Sequence, residues 1–303
     1  ETSIAGGLSD GSIVVTGQSA AAPPAPMFGL DVVALGGMYA NSIRLIGTED
    51  GLGVNVAGNL ASLEGGLSLD ARGRVSIGGQ VTSSAALDVR TTGTLDGAGT
   101  IYGDGVVTIN ARAIASSGLI AGGSDVSLNA ATIQSGATIA AGLARDGTLT
   151  RSGNLAITSS GSTTLRGLMA AHDAVQIQGS TVALSGEVSG ASVAIAGSTI
   201  SNSGNIRTSG ALGINGSSLT NSGLIAGQDV QLALSGCLNN ATGLIQSAGN
   251  LNIGAGNLDN SDGEIEAVGS AIINATSIIN DRGRLIVTGP GNLALTSSGN
   301  ISS

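Results

Sequence analysis

Apolar residues fall on alternate positions along much of the chain, in short bursts broken by glycine, asparagine and serine. The clearest bursts lie in the C-terminal half. Ile206, Ile225, Ile245, Ile265 and Leu285 recur every 19 or 20 residues, as do Leu219, Leu238, Leu258 and Ile278. A further column reads Ile214, Leu234, Ile253 and Ile273. Gly204, Gly223, Gly243, Gly263 and Gly283 keep the same beat, and so do Asn202, Asn221, Asn240, Asn260 and Asn280. Each unit reads as Asn-x-Gly, a short strand, a polar turn, a second strand, another turn and a third strand. Alternation at period two is the mark of a half-buried strand.

No single unit can bury its own apolar face. Stacked units can, if each strand pairs in parallel with its equivalent one coil away. The N-terminal half keeps the beat less strictly, with Gly99, Gly118 and Gly136, and with Leu69, Val89, Ile109 and Leu128. The fold class is therefore all-β, a parallel β-helix (solenoid) of roughly 20-residue coils, right-handed as β-crossover-β connections almost always are. Roughly 12 coils give a rod on the order of 60 Å long. Helical repeats are excluded by the Gly, Ser, Thr and Asn content, and collagen by the lack of glycine at every third position.

Two segments depart from the repeat. Residues 1–30 hold Ala21-Ala22-Pro23-Pro24-Ala25-Pro26, which cannot be a central strand, so they read as a loop or capping segment at the end of a preceding domain. Residues 31–303 then form the stack. Within it, 140–154 is about ten residues too long for one coil. That stretch carries Arg145, Asp146, Gly147 and Arg151, and reads as a loop or hairpin outside the stack, a candidate contact loop.

Composition narrows the picture. Charged residues are 10% and aromatics 1% of the 303 residues, with 51 glycines. The core must then be built from Ile, Leu, Val and Ala, which suits a narrow interior. The 41% hydrophobic content and mean hydropathy of +0.35 exclude disorder. No run approaches the ~18 apolar residues of a membrane helix, and three aromatics cannot make the girdles of a transmembrane barrel. A net charge of −9 with only 11 Lys and Arg argues against nucleic acid. The single cysteine, Cys237, excludes an intrachain disulfide, and the opening Glu1-Thr2-Ser3 reads as an excised or processed piece.

Candidate chemistry is sparse. The Asn column reads as a structural ladder of stacked amides rather than a sugar- or ion-binding ridge. The acidic strip Asp262, Glu264 and Glu266 shares a strand face. One coil on, Arg282 stands against Asp262 and Arg284 against Glu264, so inter-coil salt bridges are preferred to a cation site. His172, the only histidine, reads as an exposed turn residue, and Cys237 as a buried or half-buried thiol. The Gly-x-Gly runs precede no helix and are not phosphate loops. A polysaccharide-active enzyme would want clustered acids and bases and aromatic platforms. Only Phe28, Tyr39 and Tyr102 are available, so this reading is remote, and no catalytic residue, metal or cofactor is assigned.

The stretch from Leu35 to Glu49, Leu-Gly-Gly-Met-Tyr-Ala-Asn-Ser-Ile-Arg-Leu-Ile-Gly-Thr-Glu, continued through Gly51 to Gly58, resembles the segment that follows the secretion domain in filamentous-haemagglutinin-type exoproteins. The run Ala140–Leu149 with Ser152-Gly153-Asn154-Leu155, and the later Ser-Gly-x-Ile units, are similar to the haemagglutinin repeats of that family. The resemblance implies two-partner secretion through an outer-membrane β-barrel transporter and a place outside the outer membrane, secreted or on the cell surface. It also implies either a structural and adhesive shaft meeting a host or bacterial receptor or glycan, or a non-binding stalk of a contact-dependent growth-inhibition protein. The Asn-Pro-Asn-containing secretion domain of the family is not in this sequence. Either that domain or the first ~30 residues is expected to cap one end of the stack.

Overall fold

A computed structural model describes residues 12–17, 27–32 and 36–303, the first of these as backbone only. Among the described residues every regular element is a β-strand and none is a helix. The chain divides into two compact units, Glu1–Thr158 and Ser159–Ser303, each a stack of parallel coils.

One coil of the first unit shows how the pattern works. Its strands are Leu87–Thr91, Thr94–Gly97 and Thr100–Gly103. Each pairs in parallel with its counterpart one coil back and one coil ahead, with Val89 opposite both Leu69 and Ile109. Val89, Leu95 and Ile101 point inward and are at most 3% exposed. Their outward neighbours are polar or small, so burial follows the sequence alternation. Stacking repeats this every coil and gives unbroken aliphatic columns, such as Leu60, Val81, Ile101, Ile120 and Ile139. Fully burying each such side chain is worth about 1.5–3 kcal/mol.

Among the described residues, the third strands of each unit form a sheet of their own, six strands in the first unit and seven in the second. Ser12–Gly17 is also a strand, paired in parallel with Ser42–Gly47, and Phe28–Val32 pairs with Gly53–Val56. The proline-rich stretch from Ala21 to Pro26 lies outside the described residues.

The second unit carries the strict repeat. Ile206, Ile225, Ile245, Ile265 and Leu285 are direct partners, and so are Leu219, Leu238, Leu258 and Ile278. Three details of the sequence reading are corrected. Ile214 faces Leu232, not Leu234, before Ile253 and Ile273; Leu234 pairs with Gly216. Gly136 leaves the column of Gly99 and Gly118, because Thr100, Leu119 and Thr138 are the partners and Ala137 therefore takes the preceding place. The Asn-x-Gly turn holds for Asn202 and Asn221, but from Asn240 onward it gains a residue. Thr242, Asp262 and Arg282 take up that extra residue at φ of 64°, 56° and 56°. Each of these turns closes by a bond from the glycine N–H to the asparagine carbonyl, 3.0 Å in all three.

Candidate functional site

The departure at 140–154 builds the most elaborate surface feature of the first unit. After strand Thr138–Ala141 the chain leaves the coil and doubles back, with Leu143 and Leu149 forming an antiparallel bridge. The Ala144 N–H donates to the Thr148 carbonyl at 2.8 Å, and Gly147 takes the turn at φ 82°, which favours glycine. Asp146 sits at the tip. Its carboxylate accepts from the Thr148 hydroxyl at 2.6 Å and the Thr148 N–H at 3.0 Å, and these bonds hold it below the usual carboxylate range.

The hairpin is latched to a coil more than 40 residues upstream. Arg151 Nη1 lies 2.5 Å from Asp104 Oδ1, and Arg145 Nη2 lies 3.4 Å from Asp104 Oδ2. Burial pushes the Asp104 carboxyl up, but the hydrogen bond from Arg151 and the two guanidinium charges outweigh it and keep the group below its ordinary range. The Tyr102 hydroxyl reaches the Leu143 carbonyl at 3.2 Å, and burial followed by the nearby Asp104 charge pushes that phenol up. Ala121 and Ala140 follow Tyr102 in the next two coils on the outward face, yet are only 0% and 3% exposed. Small residues there leave room for the returning chain. Sequence reasoning missed Tyr102 and Asp104 as partners of the hairpin. The available signal was the coil register, which puts two alanines beside Tyr102 just where the chain leaves the stack.

In the second unit the five asparagines lie one above another. Asn202 Nδ2 donates to Asn221 Oδ1 at 2.8 Å, Asn221 to Asn240 at 2.8 Å, Asn240 to Asn260 at 2.7 Å and Asn260 to Asn280 at 2.7 Å. Each of the first four amides also donates to the carbonyl of its own turn glycine and to a carbonyl of the next coil, as Asn240 does to Gly243 and Glu264 at 3.2 Å. Asn221, Asn240 and Asn260 are 0% exposed. Turn glycines lie so close to the coil behind that a Cβ on Gly223 would overlap the Gly204 carbonyl oxygen.

On the outside, Arg282 makes a two-pronged contact with Asp262, at 2.7 and 2.6 Å, whose hydrogen bond holds that carboxyl down. Arg284 lies 3.4 Å from Glu264, and Glu266 accepts from Gln246 Nε2 at 3.0 Å. His172 is an exposed residue with Nδ1 2.7 Å from Asp173. Cys237 is exposed, not buried, because strand alternation turns its neighbour Leu238 inward and Cys237 outward.

The haemagglutinin-repeat family matches residues 10–99, 170–240 and 227–302. Among curated proteins, the chain is 42% identical over 80 residues to "Toxin CdiA" of Yersinia pestis, covering 26% of this chain and 2% of that one. It is 45% identical over 65 residues to "tRNA nuclease CdiA-2" of Burkholderia pseudomallei strain 1026b, covering 22% and 2%. It is 39% identical over 99 residues to "16S rRNA endonuclease CdiA" of Enterobacter cloacae subsp. cloacae, covering 30% and 3%. These matches span only 2–3% of the relatives' own length. No solved structure gives a significant match. The strict coil repeat and the extent of the family match lead to one conclusion: the chain belongs to the haemagglutinin-repeat family and is a shaft segment of a filamentous-haemagglutinin-type two-partner-secretion exoprotein, secreted and exposed at the surface.

Proposed function

We propose that this segment is a structural and adhesive shaft, non-enzymatic, which holds distal parts of its parent away from the cell and itself touches a receptor or glycan on host or bacterial cells. Residues 31–303 serve as the shaft and residues 1–30 as a cap on its first coils. Arg145, Asp146 and Arg151 mark the contact loop. The observation that supports the reading is the division of labour in the first unit. Coil backbone is used in inter-coil pairing, whereas one latched hairpin stands outside it. Recognition on a regular scaffold concentrates at such irregular loops. The Asn202 to Asn280 ladder and the Asp262–Arg282 and Glu264–Arg284 rungs are assigned to holding coil register.

A second reading is favoured by the CdiA relatives, which are named as toxins and nucleases. In it the segment is a non-binding stalk for a contact-dependent growth-inhibition protein. In both readings the parent's partner in export is the outer-membrane transporter of its family. Binding of the labelled, purified chain to host cells and to sibling bacteria separates them, with a heat-unfolded sample as control. Saturable binding that falls when 142–153 is replaced by a short turn supports the adhesive shaft. Absence of binding to both cell types refutes it in favour of the stalk.

A further inference from the structure

Beside the hairpin lies a groove of about 470 Å³, within the first unit. Leu143 and Arg145 line it from the hairpin, and Leu63, which is 59% exposed, lines it from the turn of another coil. The floor crosses the third strands. Ala61, Thr82 and Tyr102 are register partners in successive coils, and Thr100 is followed by Leu119 one coil on. Three coil steps of ~4.8 Å give a length of about 14 Å, enough for about four residues of extended chain.

The latch sets the charge of this groove. Asp104 is one carboxylate shared by two guanidiniums, Arg151 at 2.5 Å and Arg145 at 3.4 Å. Arg151 holds the closer contact, so Asp104 offsets Arg145 only in part. Arg145 is the one charged residue among those lining the groove, and the neighbouring Asp146 carboxylate is folded back on Thr148. The groove is therefore positive, and at one point only. Acidic polysaccharides and nucleic acids carry a charge on nearly every unit and call for a row of Lys or Arg. Here a single guanidinium stands among leucines and a tyrosine ring, which suits one carboxylate flanked by apolar groups. Strand Gln80–Ser83 on the floor is paired on both sides, so a bound chain lies across the strands and is held by side chains. The hydroxyls of Thr82 and Thr100, which no described neighbour engages, remain for peptide groups. We propose that the groove takes an extended segment of a protein partner, about four residues long, with a single carboxylate side chain beside apolar ones. The carboxylate meets the donors that Asp104 leaves over on Arg145, and the apolar side chains cover Leu63, Leu119 and Leu143.

This inference deepens the reading of the hairpin as a contact point and rests on it, and its test is separable from that reading. Saturation-transfer NMR on the full chain uses capped tetrapeptides with one Asp or Glu among Leu, Val, Phe and Ala, beside the same set with Asn or Gln in place of the acid. Tetraglutamate and a sulfated heparin disaccharide serve as polyanions, and dodecanoate as a carboxylate without peptide groups. Saturable transfer is expected from at least one acidic tetrapeptide, with binding about tenfold tighter than its amide twin. Arg145→Gln should remove that preference while Arg151 keeps the hairpin latched. Leu63→Ser should weaken acid and amide peptides alike, about tenfold, with the thermal midpoint unchanged because Leu63 is exposed. The proposal is overturned if no acidic tetrapeptide shows transfer, if the amide twins bind equally well, or if Arg145→Gln keeps the preference. Wild-type binding by Leu63→Ser, or tighter binding of a polyanion or of dodecanoate, would overturn it too. Cell binding without peptide binding would remove the groove proposal and leave the adhesive shaft. Peptide binding without cell binding would do the reverse.

Discussion

Replacing Asn240 by alanine cuts the ladder at its centre. The amide donates to Asn260 Oδ1 at 2.7 Å and to the carbonyls of Gly243 and Glu264 at 3.2 Å, and accepts from Asn221 at 2.8 Å. Asn221 keeps the carbonyls of Gly223 and Leu244 as acceptors, so its loss is small. Asn260 Oδ1, on a residue 0% exposed, loses the donor that reaches it from the coil behind. A buried acceptor left unmet costs about 1–3 kcal/mol, and the space vacated by the amide adds about 1 kcal/mol. Asn240→Ala should therefore destabilise the second unit by about 3 kcal/mol. Asn252→Ala, at an exposed strand position of the same unit, should stay within about 0.5 kcal/mol of wild type. Guanidinium unfolding followed by far-UV circular dichroism reads both, with hydrogen exchange of Glu264–Ala267 as a local probe. Asn240→Asp sharpens the test. A carboxylate there lacks a donor and faces three carbonyl-type oxygens, so its folded pKa is raised. The stability of that variant is greatest below the unfolded aspartate pKa, about 3.9, and falls as pH rises through the folded value. Equal midpoints for Asn240→Ala and Asn252→Ala would refute the ladder's role in stability.

Other perturbations give distinct signatures. Gly223→Ala should destabilise by about 2–4 kcal/mol through overlap with the Gly204 carbonyl. Gly213→Ala, whose Cβ would meet nothing within 4 Å, should be neutral or gain up to about 1 kcal/mol in the same denaturation assay. The Arg282 hydrogen bond lowers the Asp262 pKa, so the pair's contribution is present above the unfolded aspartate pKa and lost as pH falls through the folded one. The thermal-midpoint difference between wild type and Asp262→Asn should accordingly vanish in strong acid and shrink in high salt. Asp104→Asn should loosen the hairpin, raising the rate of trypsin cleavage after Arg145 and Arg151 about tenfold while leaving bulk circular dichroism unchanged.

Stacking in register made the columns of the second unit legible, because a coil-length spacing in sequence becomes a direct neighbour in space. Ile206 and Ile225 meet for that reason alone. Leu234 was misplaced because Val230, Leu232 and Leu234 all face inward along one strand, and a two-residue shift leaves the alternation intact. Gly136 was misplaced because turn lengths vary where strand columns do not. Position 140–154 betrayed a protrusion by its length, but not its anchor. Asp104 precedes Arg151 by 47 residues, and no local pattern encodes a contact made through coil register.

Within either unit the hydrogen bonds between strands run from coil to coil, and this sets how the material yields under tension. A pull on one end of the chain loads the bonds of the outermost coil while those behind stay shielded. Detaching one coil frees about 20 residues, or about 65–70 Å of extended chain at ~3.4 Å per residue, in exchange for ~4.8 Å of stack. Such a segment lengthens coil by coil, in steps of about that size except at the coil that carries the hairpin, and absorbs work at each step. Within either unit the compliance is set by the single coil and is independent of how many coils stand behind it.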